Sequence, residues 1–191
     1  MITNRESYFD YLKKDLKAYQ LSSYSLYSYF RIDCLRFIRR LRKIEYLTNV
    51  RNKNIFYKFY IFILEFFNHR LGTRLGITIP KNVFGPGLCI VHYGTIVVSP
   101  HSRIGENCRI HPSTSIGEYN GAPIIGNNVY IGPGAKIFGN IEIGNNVAIG
   151  ANAVVNKSFP DNVTIGGIPA KILSDKSSLE LNVFPDCINQ K

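Results

Sequence analysis

Cysteine is sparse and scattered. The four residues Cys34, Cys89, Cys108 and Cys187 include no C-x-x-C pair, which argues against a disulfide or zinc framework and for reduced thiols in a cytoplasm. A long apolar run is also lacking. The greasiest stretch, IFYKFYIFILEFF, carries Lys58 and Glu65 and falls short of the roughly 20 apolar residues that a membrane span needs. The opening MITNRESYFDYLKK has no apolar centre, so no secretory signal peptide is expected. Acidic residues are few at the start: residues 1–76 hold 6 against 15 Lys and Arg, whereas residues 77–191 hold 7 against 8. The net charge of +10 is therefore an N-terminal property, and the same region carries 17 of the 24 Tyr and Phe residues. What remains is ordinary: 191 residues with 45% hydrophobic and 19% charged content suffice for a real core and argue against wholesale disorder.

The chain has two periodicities. Up to Gly76, apolar residues recur at spacings of three and four: Tyr8, Tyr11, Leu12, Leu16 and Tyr19, then Phe30, Cys34, Leu35, Phe37, Ile38 and Leu41. This predicts helices, with Ser7 a candidate start and Gly72 and Gly76 candidate ends. Beyond Gly76 the period becomes six. The rows VSPHSR, IGENCR, IHPSTS and IGEYN are followed, after a slip, by IGNNVY, IGPGAK, IFGNIE, IGNNVA and IGANAV. The first position is aliphatic throughout (Val98, Ile104, Ile110, Ile116, Ile125, Ile131, Ile137, Ile143, Ile149, Val155), and the fifth is small or β-branched. A parallel β-helix has this period: each hexapeptide forms one flat face, three form a triangular coil, and the aliphatic residue fills the interior. The slip between Ile116 and Ile125 predicts that GEYNGAP, residues 117–123, bulges as a loop, a place where solenoids often carry function. The helices can cap one end of the solenoid and the stretch SFPDNVTIGGIPAKIL the other.

Four histidines are available for chemistry. His92 sits in the β-prone run CIVHYGTIVVS, where it is either a half-buried structural imidazole or a general base, the side chain whose unperturbed pKa lies nearest neutrality. His111 takes the second hexad position, usually Gly, and lies about one coil beyond His92, so a substrate-binding role and a surface role both stay open. His69 and His101 read as surface or structural residues.

These hexapeptides, with GPGLCIVHYGTIVVSP, RIGENCRI and the closing PDNVTIGGIPAKI, resemble the left-handed β-helix acyltransferases, in particular the serine acetyltransferase branch and bacterial polysaccharide O-acetyltransferases. The resemblance implies a mainly β fold with an α-helical N-terminal region: helices over 1–76, a left-handed β-helix over 77–173 and a tail over 174–191. It implies His92 as the catalytic base, facing a groove between subunits of a homotrimer, and acetyl-CoA as donor without a metal. Gly132, Pro133, Gly134, Ala135, Gly150 and Ala151 match the usual wall for the pantetheine arm, and Lys157 and Lys171 fall where basic side chains meet the nucleotide phosphates.

Departures from the serine enzymes shape the expected acceptor. GITIPKN lacks the upstream acidic partner of the histidine, Val91 stands where the family has Asp before it, and Gly121-Ala122 replaces an Arg-His pair. A zwitterion needs charged groups to hold it. A sugar needs hydroxyl-directed hydrogen bonds and an aromatic platform, which Tyr93, Tyr119 and Asn120 can supply, with Glu118 as a candidate to hold the His92 ring. The sequence therefore leads to a cytoplasmic O-acetyltransferase acting on a carbohydrate of a capsule or other surface polysaccharide, with direct attack because no Cys or Ser stands as nucleophile beside His92. Serine O-acetyltransferase activity and a non-catalytic scaffold are the alternatives. The basic aromatic N-terminus, from Arg31 to Lys58, has three readings: a cap packed on the solenoid, a peripheral contact with the inner face of a membrane, or a nucleic-acid surface. The last is set aside for want of any nucleic-acid motif.

Overall fold

The computed structural model describes residues 1–50 and 54–184; Arg51, Lys53 and Cys187 lie outside them. Helix α1 (Arg5–Ala18) is capped three residues earlier than the Ser7 start that the sequence suggested. Asn4 is the N-cap: its side chain accepts from the Ser7 amide at 2.8 Å, and the Ser7 hydroxyl accepts from the Asn4 amide at 3.1 Å. Ser7 is thus the third residue of a capping box, satisfying two orphan amides reciprocally. The second apolar series divides into α2 (Leu26–Arg31) and α3 (Asp33–Asn49) at Ile32, which leaves Phe30 exposed rather than in the core. Helix α4 (Ile55–Leu75) ends on Gly76 in the left-handed conformation, φ 73°, as glycine readily does. Gly72 does not end the helix. It lies inside it, where a Cβ would stand 2.7 Å from the Ile77 carbonyl oxygen; its absence lets the helix touch the first strand.

From Ile77 the chain winds as a triangular prism. One face stacks β1 (Ile77–Thr78), β3 (Ile96–Val98), β6 (Thr114–Gly117), β9 (Lys136–Phe138) and β12 (Val154–Val155). The second stacks β4 (Arg103–Ile104), β7 (Ile124–Ile125) and β10 (Glu142–Ile143), and Phe84 and Phe159 extend it by single bridges. The third stacks β2 (Cys89–Ile90), β5 (Arg109–Ile110), β8 (Tyr130–Ile131), β11 (Ala148–Ile149) and β13 (Thr164–Gly166). All these pairings are parallel; β14 (Lys171–Ser174) closes the third face antiparallel to β13. The coil period is direct: Ile125 pairs with Ile143 and Ile131 with Ile149, each 18 residues on. Ile104 with Ile125 and Ile110 with Ile131 instead advance 21 residues. The three additional residues are the slip, and they leave the prism between β6 and β7.

Every aliphatic first-position residue from Val98 to Val155 is buried, and so are the fifth-position residues Ser102, Cys108, Thr114, Val129, Ala135, Ile141, Val147 and Ala153. Asparagines that recur along the coils have a further use. Asn107, Asn128, Asn146 and Asn162 adopt positive φ at one corner, and their amides run as a ladder at 2.9, 2.8 and 2.8 Å along the axis. Cys34 and Cys108 are buried free thiols. No described helix is long and apolar enough to cross a membrane.

The first coil would present unpaired edge groups, and the helices satisfy them. Arg42, fully buried, donates from Nη1 to the Phe84 carbonyl at 2.9 Å and from Nη2 to the Gly85 carbonyl at 2.6 Å. Asp15 accepts from the Gly87 and Leu88 amides at 2.7 and 2.9 Å. Arg42 in turn ion-pairs with Asp15 at 2.9 Å and Glu45 at 3.1 Å, so each buried charge meets an opposite one and further polar partners.

Candidate active site

His92 lies on the connection from β2 to β3, at the edge where the third face turns into the first. Two helical residues pin this turn. The Tyr19 hydroxyl donates to the Ile90 carbonyl at 2.7 Å and accepts from the Ile90 amide at 3.1 Å. Beyond His92, the Gly94 amide donates to the Leu75 carbonyl at 2.9 Å, with Gly94 at φ 145°. A Cβ on Gly94 would stand 2.9 Å from Pro112 Cβ, so glycine permits the close approach of the next coil. Tyr93 projects outward and is exposed.

Successive coils place His111, Gly132, Pro133 and Gly134, then Gly150 and Ala151, along the same edge. Their register is fixed by backbone bonds: Val91 N to Ile110 O at 3.1 Å, His111 N to Ile131 O at 3.1 Å, Gly132 N to Ile149 O at 2.9 Å and Gly150 N to Ile165 O at 2.8 Å. The proposed base and the proposed donor wall thus form one line parallel to the solenoid axis. Pro133 and Ala151 are exposed there and present only a ring and a methyl group, which leaves the backbone accessible to an extended arm. Ala135 is fully buried; its side chain fills the interior, and only its backbone can serve the wall. Gly132 has a structural reason of its own, since a Cβ would meet the Ile149 carbonyl oxygen at 2.7 Å.

His111 is half-buried, with its ring edge-on to Tyr130 at a centroid distance of 5.0 Å. Burial pushes its pKa down to about 4, and the electrostatic influence of Arg109 and then of His92 acts in the same direction. It is therefore neutral at pH 7. Its Nε2 is buried without a hydrogen-bond partner among the described residues. Burial also raises the Tyr130 phenol.

The 117–123 loop lies elsewhere, on the edge between the first and second faces. Glu118 does not hold His92 as the sequence suggested. It accepts from the Ser99 hydroxyl and meets His101 Nδ1 at 2.8 Å; these hydrogen bonds, Ser99 first, hold its carboxyl below the usual range. His101, read from sequence as surface or structural, is its partner one coil below; coil spacing was the signal that could have found the pair. Tyr119 and Asn120 are exposed on this loop. Lys157 shares their edge, its Nζ 5.5 Å from the Phe159 ring centroid. Lys171 is exposed on β14, opposite Gly166 on the third face. A single copy therefore gathers His92, Tyr93, His111 and the Gly/Ala wall, and keeps Glu118, Tyr119, Asn120 and Lys157 apart from them. A cavity of about 350 Å³ opens on the third face beside α1, lined by residues including Lys14, Lys17, Gly87 and Arg109 but not His92.

The family described as "Bacterial transferase hexapeptide (six repeats)" matches residues 122–157. A serine acetyltransferase of Buchnera aphidicola subsp. Schizaphis graminum is 32% identical over 150 residues, covering 75% of this chain and 54% of that protein. The chain spans about half the length of the curated relatives it matches. Among solved structures, the serine acetyltransferase of Brucella abortus strain S19 superposes with a TM-score of 0.73 at 26% identity, covering 91% of this chain and 72% of that one. A serine acetyltransferase complex with CoA superposes with a TM-score of 0.70 at 28% identity, covering 88% and 71%. These findings overturn the polysaccharide assignment and its carbohydrate acceptor: the family's charged residues are absent, yet the similarity to serine acetyltransferases runs through the helices as well as the repeats. The solenoid of this chain is a β-helix of hexapeptide repeats with the left-handed fold of the hexapeptide-repeat acyltransferases, similar to that of the serine acetyltransferases.

Proposed function

We propose that this chain is an acetyl-CoA-dependent serine O-acetyltransferase with His92 as general base. The observation that carries the reading is the single edge on which His92 and the wall Gly132–Pro133–Gly134, Gly150–Ala151 are aligned, in a chain similar to serine acetyltransferases, one of them solved with CoA. The thioester supplies an activated acetyl group. His92 takes the proton of the serine hydroxyl as its oxygen attacks the thioester carbonyl, and returns it to the sulfur as the C–S bond breaks, because free alkoxide is inaccessible at neutral pH. Neutral His111 beside it adds no second positive charge to the imidazolium that forms.

A prism edge is convex, so substrates held there need a facing wall. A homotrimer supplies one, and a neighbouring copy can bring Glu118, Tyr119, Asn120 and Lys157 opposite His92. In this reading Glu118 and Lys157 meet the serine ammonium and carboxylate from across the groove, in place of the charged residues that Val91, Gly121 and Ala122 do not supply. The reaction takes place where acetyl-CoA is made, in the cytoplasm. The division into regions 1–76, 77–173 and 174–191 belongs to the same proposal: the first positions the base, the second holds both substrates.

The test is thiol release from acetyl-CoA with L-serine, run with the wild type and His92→Ala. Serine-dependent release that falls at least about a hundredfold in the variant, with CoA binding retained, supports the reading. Release without dependence on His92 removes the base assignment. Binding of acetyl-CoA without turnover of serine removes the acceptor, and failure to bind CoA leaves a scaffold.

A further inference from the structure

Most apolar residues of the N-terminal helices pack on one another or on the first coil, but one surface does not. Only the C-terminal part of α4 is docked, through Asn68, Leu71, Gly72 and Leu75. Toward its start, Ile55, Phe59, Phe62 and Phe66 follow the spacing of one helix side, and each is at least 48% exposed. Phe56 and Phe67 flank this stripe, also exposed. A helix on the surface of a globular protein ordinarily turns polar residues to water, and a contiguous apolar patch marks an interaction site.

A basic cleft adjoins the stripe. It encloses about 440 Å³ between the helices, lined by residues including Tyr8, Tyr29, Arg39, Arg40, Lys43 and Phe67. Its cations rest on rings rather than on carboxylates. The Arg39 guanidinium lies 4.5 Å from the Tyr24 ring centroid, Lys43 Nζ lies 5.6 Å from that of Tyr8, and Arg40 donates to the Tyr29 hydroxyl at 3.2 Å. Among the described residues none of these three forms an ion pair. Glu65, the acidic residue of α4, is paired with Lys81 at 2.6 Å. Phe67 flanks the stripe and lines the cleft, so aromatic and cationic surfaces are continuous.

We propose that α4 and this cleft form a docking surface for an anionic lipid bilayer. The Phe stripe enters the boundary between headgroups and acyl chains, and Arg39, Arg40 and Lys43 meet lipid phosphates, the division of labour of interfacial helices. Charge complementarity selects this occupant. Residues 1–76 carry 15 basic against 6 acidic residues, an excess of nine, so a second copy seated here would bring two strongly positive surfaces together, whereas an anionic bilayer neutralises one. The contact is peripheral, because no described helix is long and apolar enough to span. It is independent of the acetyltransferase reading.

The experiment is co-sedimentation of the full chain with phosphatidylglycerol-containing vesicles and with pure phosphatidylcholine vesicles, at low and high salt. Binding to the anionic vesicles that is lost at high salt is expected. The Arg39→Gln/Arg40→Gln/Lys43→Gln variant should bind about a hundredfold more weakly, at roughly a fivefold factor per cation. The Phe59→Ser/Phe62→Ser variant changes only exposed side chains, so it tests the surface even if the triple variant fails to fold; it should lose binding with melting temperature and oligomeric mass unchanged. Equal binding to neutral vesicles, or binding indifferent to both variants, would overturn the proposal. So would a fall in oligomeric mass in the Phe59→Ser/Phe62→Ser variant without vesicle binding by the wild type, which would give the face to a second copy.

Discussion

The Tyr19 hydroxyl both donates to and accepts from the backbone of Ile90, at 2.7 and 3.1 Å, two residues before His92. Tyr19 follows α1 directly, so the helical region sets the strand from which the base emerges. Burial raises the Tyr19 phenol well above its usual range, keeping it a neutral donor at any working pH. Tyr19→Phe strips both bonds from a buried backbone unit, and unsatisfied groups of this kind cost about 1–3 kcal/mol. The expected result is a lower melting temperature together with a reduced kcat and little change in the KM for acetyl-CoA, measured by thiol release and thermal unfolding.

The buried pair Arg42–Asp15 makes a sharper stability prediction. Arg42→Met leaves Asp15 and Glu45 as uncompensated buried carboxylates, a loss of about 3–5 kcal/mol, to be read in urea unfolding. Arg42→Lys should not rescue it. Arg42 reaches two carboxylates and two carbonyls from one planar fork, and a single ammonium cannot reproduce that geometry.

His111 predicts a pH dependence. Its folded pKa, about 4, lies below the ordinary histidine value of 6.5, so between the two the unfolded chain binds the extra proton. Its contribution is present in full above pH 6.5 and is lost as the pH falls through 4. The fall in unfolding free energy across that window should be shallower in His111→Gln than in wild type. Carboxylates titrate in both proteins, so the difference between the two curves isolates the imidazole.

Two glycines of the donor wall should separate packing from binding. In Gly132→Ala the new methyl meets the Ile149 carbonyl oxygen at 2.7 Å, and in Gly150→Ala it meets the Ile165 carbonyl oxygen at 3.3 Å. The first overpacks the coils and should cost about 1–3 kcal/mol. The second requires only a slight adjustment, so its effect should fall on the KM for acetyl-CoA. If Gly150→Ala leaves that KM unchanged, the pantetheine arm does not run along this edge.

The solenoid was legible because its periodicity is local. Residues six apart face the interior in every coil, so Ile104, Ile110 and Ile116 announce the prism without any long-range contact, and the nine-residue step to Ile125 announces the loop. The acceptor was misread for the opposite reason. Val91, Gly121 and Ala122 show which side chains are missing nearby, but a site built at a prism edge draws on partners that local spacing does not register. Glu118 illustrates this: its loop alone did not point to Ser99 and His101, which approach it because the coils stack and which only the coil spacing could have indicated.

The sequence by itself determined the repeat, the interior, the turn at Gly76 and the position of His92 within its coil, since each follows from side-chain size, backbone freedom or a short period. The tertiary structure decided what surrounds that histidine. Tyr19 and Leu75 hold the backbone on either side of it from the helical region, His111 loses its charge through burial beside Arg109, and the apolar stripe of α4 is left uncovered because the buried residues of that helix lie at its end. Contacts between distant segments depend on how whole surfaces fit, and no local pattern encodes that fit.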